Sequence, residues 1–167
     1  MIRKGRAFKF GDDVSTDAIA PGRYFHLRSN LPELAKHVLE DADPEFASRV
    51  RPGDFVVAGR NFGLGSSREH APTIIKLAGV SAVLAESFAR IFFRNAINVG
   101  LPAVICDTGS IRAGHELELD LEAGELVNRT RGERQRVTPL PPVMLAILED
   151  GGLLEHIKKH GGLKLEV

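Results

Sequence analysis

With 167 residues, 43% of them hydrophobic and 26% charged, the chain has the size and mix of one folded domain able to bury a real core. Its 22 basic and 22 acidic side chains cancel, which excludes the basic excess that general nucleic-acid or membrane-surface binding requires. A single cysteine, Cys106, excludes an internal disulfide and cannot by itself ligate an iron–sulfur cluster. The opening MIRKGRAFKFGDD has no apolar signal core, and no apolar run is long enough to span a bilayer. The expectation is one cytoplasmic domain over residues 1–167.

In chain order, GRAFKF (5–10) alternates like a half-buried strand, and GDDVSTDAIAPG (11–22) is rich in turn formers and acids, a structured loop. RYFHLRSN (23–30) has no clean period, and residues 24–30 are expected to be mobile in the chain by itself. Leu31 to Leu39 carries helical spacing, with Asn30 as N-cap and Pro32 in the first turn. DFVVAG reads as a buried strand, GRNFGLGSS as a glycine-rich loop and REHAPTIIKLAG as a helix stopping at Gly79. VSAVLAES is a second buried strand, FARIFFRNAINVG a second helix ending at Gly100, and LPAVICD a third strand. Strand, helix, strand, helix, strand over 54–107 predicts a parallel α/β layer. Residues 115–138 alternate acids and leucines with turns at Ala123-Gly124 and Arg131-Gly132, an antiparallel meander. The tail from Pro141 to His160 holds two short helical patterns broken by Gly151-Gly152.

Residues 59–72, GRNFGLGSSREHAP, are the most informative. Glycines 59, 63 and 65 allow close backbone approach, and a helix is expected to open near Ser66 or Ser67, with Ser66 and Glu69 as a capping box. A helix N-terminus favours anions, and Arg68 in that first turn is a cation at the positive end of the dipole, a cost that a bound carboxylate would offset. On the residues alone, a carboxylate site and a plain turn, with Ser66 as cap and Arg68 in a surface ion pair, stand level. No Gly-Lys-Ser/Thr follows the glycines, and the order Gly63-Leu64-Gly65-Ser66 is not that of a hydrolase elbow. The six histidines show no metal-ligand spacing, and Arg90 and Arg94, four residues apart, read as a solvated helix face.

GRNFGLGSSREHAP followed by ESFARIFFRNAINVGLP resembles the small subunits of 3-isopropylmalate dehydratase and homoaconitase, in the aconitase superfamily. The resemblance extends through GDDVSTDAIAPGRY, ELAKHVLEDADPEFASRV and PGDFVVAG, so it covers most of residues 1–107 and runs more loosely to the end. Relatives often carry Cys or Glu where this chain has Leu64, a position with no expected chemistry. The resemblance implies a swivelling β/β/α domain: a mostly parallel sheet core, flanking helices and an antiparallel β element. It also implies a [4Fe-4S] cluster held by a separate large subunit and a small hydroxy-acid substrate isomerised by dehydration and rehydration.

By the same resemblance Ser66 is the base, Ser67 and Arg68 bind a substrate carboxylate, and Asp17 orients donors or an arginine. Substrate choice falls to the segment after Tyr24: Phe25 and Leu27 suit an isopropyl group, and Arg28 suits the extra carboxylate of homoaconitate-like substrates. Isopropylmalate is the expected substrate, with homoaconitate and 2,3-dimethylmalate as alternatives. A stand-alone carboxylate-binding module and a structural subunit that does not need Ser66 are the competing classes. Self-association of the isolated chain is a further expectation.

Overall fold

The computed structural model describes residues 1–162, so the last five positions of the expected 1–167 domain lie outside the described residues. Seven strands form one sheet in the order β4-β3-β2-β1-β5-β6-β7. The strands are β1 (Ile2–Lys9), β2 (Phe55–Val57), β3 (Ala82–Ala85), β4 (Ala103–Ile105), β5 (Glu116–Asp120), β6 (Glu125–Asn128) and β7 (Glu133–Arg136). β1 to β4 run parallel, and β1, β5, β6 and β7 run antiparallel. This is the expected α/β arrangement, a parallel layer joined to an antiparallel meander.

β1 belongs to both halves. Its residues Ala7 to Lys9 pair parallel with β2, while Ile2 to Arg6 pair antiparallel with β5. Gly5 sits at this switch because a Cβ there would lie 2.1 Å from the Gly53 carbonyl oxygen. Pairing to β5 begins the strand at Ile2 rather than at residue 5.

The apolar runs FVV, AVLA and AVI are strands because both faces of the parallel layer are covered. Val56, Val83, Ala85 and Ala103 face one side and Phe55, Val57, Ala82, Leu84 and Val104 the other. The first side is covered by α1 (Thr16–Ile19), α2 (Leu31–Ala35), α3 (Phe46–Arg49), α4 (His70–Leu77) and α5 (Arg90–Asn98). The second side is covered by Leu117, Leu119 and Leu126 of the curling antiparallel half. The last helices, α6 (Pro142–Glu149) and α7 (Leu153–His160), are separated by Gly151-Gly152 as expected, and Ile147 and Leu148 pack on Ile97 of α5.

The expected helix over 31–39 is shorter. Asn30 does cap it, accepting from the Glu33 N–H, but the regular turns end at Ala35. Leu39 takes a φ of +57° and gives its N–H to the Ile19 carbonyl at 2.9 Å, so a tertiary bond replaces the helical one. The outer edges of the sheet are treated differently. On β4 the Ile105 carbonyl accepts the Thr138 N–H at 2.9 Å, while β7 has the exposed sequence ERQR, with Arg134 on Glu125 of β6.

Asp54, only 7% exposed, secures the start of β2. Its carboxylate accepts the Arg6 N–H at 3.0 Å and the Arg51 N–H at 2.8 Å. Asp54→Ala leaves two backbone donors without these partners and is expected to cost about 2 kcal/mol, read from the midpoint of urea unfolding.

Candidate functional site

Parallel strands bring their C-terminal ends to one edge, the general location of ligand sites in such sheets. Three chain segments leave that edge: the loop after β1, the glycine-rich loop after β2 and the short link from β3 to α5. Strand-like pairing carries on past the sheet and joins them. Gly63 donates its N–H to the Val14 carbonyl at 2.7 Å, and Thr16 donates to Leu64 at 2.9 Å. Phe62 donates to the Ser87 carbonyl at 3.1 Å, and Ala89 donates back to Phe62 at 3.0 Å. Below them the Phe62, Phe88 and Phe92 rings form an aromatic cluster.

Side chains complete the join. Ser15 caps the short α1 by accepting the Ala18 N–H at 3.0 Å. Thr16, 3% exposed, donates its hydroxyl to the Ser66 carbonyl at 2.7 Å. Asp17 accepts both the Gly22 N–H and Arg68 Nη2 on Oδ1, each at 3.0 Å. Arg68 Nη1 donates to the Ala20 carbonyl at 2.5 Å. The two loops therefore meet around one guanidinium, next to the exposed Ser66 and Ser67.

The helix after this loop starts later than expected. α4 begins at His70 with Glu69 in the N-cap place, and neither a Ser66 cap nor a capping box forms. The Ser66 carbonyl instead accepts the Arg68 N–H at 2.8 Å and the Thr16 hydroxyl, which holds residues 66–68 in a tight turn outside the helix. Arg68 is thus drawn back toward Asp17 and lies ahead of the first helical turn.

Ser66, Ser67 and Arg68 form one wall of a cleft of about 400 Å³, and Arg90, Ile91, Arg94 and Asn95 of α5 form another. Arg90 and Arg94 are exposed and ion-pair with no described residue. Sequence reasoning assigned this pair to a solvated face. Its signal was the absence of any acid across RIFFRNAIN, which left two arginines one turn apart without a helical partner.

Residues Gly22–Leu27 form a 3-10 helix, whose threefold repeat explains why neither a strand nor an α-helix period was visible. Tyr24 stacks on His37 at 3.8 Å, and Arg23 pairs with Glu40 and Asp41, which fasten this turn to the segment after α2. Leu27 packs against the core. Phe25 is 53% exposed, and Arg28 lies over its ring at 4.2 Å. Phe25, Leu27 and Arg28 are not among the walls of the cleft. Burial lowers the pKa of His70, and Arg68 and then Arg28 lower it further, so both cations act on this first residue of α4.

Cys106 is the one cysteine in the sequence, whereas a [4Fe-4S] cluster is ordinarily held by several. Cys106 is buried, and burial pushes its thiol up to about 12. A thiol so reluctant to ionise is a poor metal ligand. The donor set of this chain does not fit a cluster.

Comparisons with known proteins converge on one family. The Aconitase C-terminal domain family matches residues 21–107, which include the glycine-rich loop but begin just after Asp17. The 3-isopropylmalate dehydratase small subunit 2 of Archaeoglobus fulgidus is 68% identical over 165 residues, 99% of this chain and all of that one. This chain belongs to the family of 3-isopropylmalate dehydratase small subunits. A homoaconitase small subunit of Methanothermobacter thermautotrophicus is 56% identical over 158 residues, covering 95% of this chain and 92% of its own. A crystal structure of 3-isopropylmalate dehydratase from Methanocaldococcus jannaschii is 47% identical, with a TM-score of 0.92 and 96% of each chain covered. The last agreement bears out the expected fold. Membership of the aconitase family implies an iron–sulfur cluster in the reaction.

Gly63 combines a φ of +85° with a Cβ position 2.2 Å from the Phe92 ring. Gly63→Ala is therefore expected to destabilise by more than about 1 kcal/mol, through strain and overpacking together. The check is thermal unfolding, with Gly11→Ala, which meets nothing within 4 Å, as the mild control.

Proposed function

We propose that this chain is the small subunit of a cytoplasmic hydro-lyase that interconverts 2-isopropylmalate and 3-isopropylmalate in leucine biosynthesis. In this reading residues 1–167 form one swivel domain, active only with a large subunit that holds the [4Fe-4S] cluster. The observation that carries it is the presentation of Ser66, Ser67 and Arg68 in one cleft, with Arg68 held from behind by Asp17 and the Ala20 carbonyl.

Isomerisation by loss and return of water requires a base at a carbon next to a carboxylate. Ser66 is that base, taking the C–H proton as an alkoxide and returning it on rehydration. A serine anion needs strong local stabilisation, and Arg68, together with the positive end of α4 just beyond it, supplies it. Ser67 and Arg68 bind a substrate carboxylate. A guanidinium carries five N–H donors, and Asp17 and Ala20 engage only part of that set, so donors remain for the substrate. Asp17 is a positioning residue: its ion pair is partly exposed and worth little as stability, but it sets where the guanidinium lies. Arg90 and Arg94 add unpaired positive charge on the opposite wall, which attracts a dicarboxylate.

Substrate choice rests with Phe25 and Arg28. Leu27 is turned to the core, so its part is to hold the 3-10 turn in place. The exposed Phe25 ring offers an apolar surface for an isopropyl group, and Arg28 is stacked on it and donates to the Phe25 carbonyl at 3.2 Å. In the homoaconitase reading Arg28 leaves that ring to pair with a third carboxylate.

The test is reconstitution with the cluster-loaded large subunit and assay of isopropylmalate, homoaconitate and 2,3-dimethylmalate side by side. Isopropylmalate is expected to be preferred, and preference for the tricarboxylate, lost in Arg28→Ala, would transfer the chain to homoaconitase. Ser66→Ala is expected to lower kcat by about 10²–10⁴ while the two subunits still co-elute in gel filtration. Arg68→Lys is expected to raise KM, because a lysine cannot reproduce two-pronged carboxylate binding. Full turnover by Ser66→Ala would leave only a structural subunit.

A further inference from the structure

A second cluster of chemically capable side chains lies where α6 meets α7. Asp150 follows the last residue of α6, Gly151-Gly152 turn the chain at φ values of +91° and +135°, and α7 then carries His156 and His160. Asp150 Oδ2 is 2.7 Å from His156 Nδ1 and 2.9 Å from His160 Nε2. Lys159 donates to the other oxygen, Oδ1, at 3.0 Å. The three histidine and carboxylate atoms lie within 4.8 Å of one another. The His156 side chain is fully buried and that of Asp150 is 7% exposed, while His160 keeps 24% of its surface open to solvent. A carboxylate used only to clamp a helix needs one partner. Here two histidines and a lysine converge on it, from a helix whose His156 is buried and whose His160 is open to solvent.

We propose that Asp150, His156 and His160 form a binding site for a divalent transition metal of the zinc type. Two histidines four residues apart on one helix face and a carboxylate from a neighbouring element are a zinc donor set, and mixed nitrogen and oxygen donors select zinc, cobalt or nickel over magnesium or calcium. Ligands about 2.0–2.1 Å from a tetrahedral ion stand roughly 3.3 Å apart, so the two contacts to Asp150 widen by about half an ångström on binding. His160 is the last residue of α7 and is followed by Gly161 at φ +71°, so it can yield that distance. A fourth ligand would complete the tetrahedron. Lys159 retains Oδ1 and keeps the carboxylate oriented, the usual service of a partner behind a metal ligand. The bound ion ties α7 to the end of α6, and both helices pack on α5, the helix that carries Arg90 and Arg94 into the cleft.

The full-length chain, stripped of metal, is titrated with zinc by calorimetry slightly above neutral pH. A single equivalent is expected to bind and to raise the melting temperature, and cobalt(II) in its place is expected to give the intense visible bands of a tetrahedral complex. His160→Ala, at an exposed helix end, is expected to lose both responses, as is Asp150→Asn, which preserves shape; His26→Ala is expected to keep them. No zinc uptake by the wild type overturns the proposal. So does binding unchanged in His160→Ala and Asp150→Asn, or several weak equivalents spread over the other histidines, which would mean an adventitious ion only.

Discussion

Everything at the cleft depends on the chain pairing on after the sheet has ended. The segments that follow β1 and β2 leave the sheet, yet they remain zipped by the Gly63 to Val14 and Thr16 to Leu64 bonds and by the Thr16 hydroxyl on the Ser66 carbonyl. Each bond is worth only about 1 kcal/mol net. Their importance is that they are in series. The parallel register sets Lys9 against Val57, that register sets Val14 against Gly63, and the last bond places the Ser66 backbone. A serine acting as a base, the role proposed for Ser66, must be held to within a fraction of an ångström, and here main-chain bonds together with the Thr16 hydroxyl fix its backbone.

The same logic assigns its place to the Asp17–Arg68 pair. Asp17 is mostly exposed, so the ion pair adds little stability. Gly22 lies close under the pair: a Cβ there would stand 3.2 Å from the Asp17 carboxylate and 3.6 Å from the Arg68 guanidinium, so a side chain would crowd the carboxylate slightly. Small residues on one loop let a large cation from the other lie across them, and the cation is then aimed by its ties to Asp17 and to the Ala20 carbonyl.

Much of this architecture was legible in the amino-acid order, because the buried strands are short unbroken runs of Val, Ala, Leu and Phe between glycine-marked helices. The acid–leucine alternation of β5 and β6 and the Gly151-Gly152 break between the last helices were equally plain. What escaped reading shares a cause: each feature is decided by a distant partner. Ser66 has the local pattern of a helix cap, but Thr16, fifty positions away, occupies its carbonyl. Leu39 has helical spacing, but Ile19 takes its N–H. Arg90 and Arg94 look solvated until the glycine-rich loop closes a cleft beside them, and His156 and His160 look unrelated to Asp150 until two glycines fold the helices together. In the segment after Tyr24, local rules did not say which side chain turns inward, and packing chose Leu27.

The exposed ERQR edge of β7 has a further consequence for association. An open strand edge templates growth: another copy can dock its backbone there, and sheets then extend from molecule to molecule. Charges on that edge must be desolvated or set against like charges before such docking can occur, while the opposite edge is engaged at Ile105 by Thr138. Among the described residues, charge guards one edge of the sheet and a backbone bond occupies part of the other. Growth of the sheet from molecule to molecule along its own hydrogen bonds is thereby disfavoured at the β7 edge.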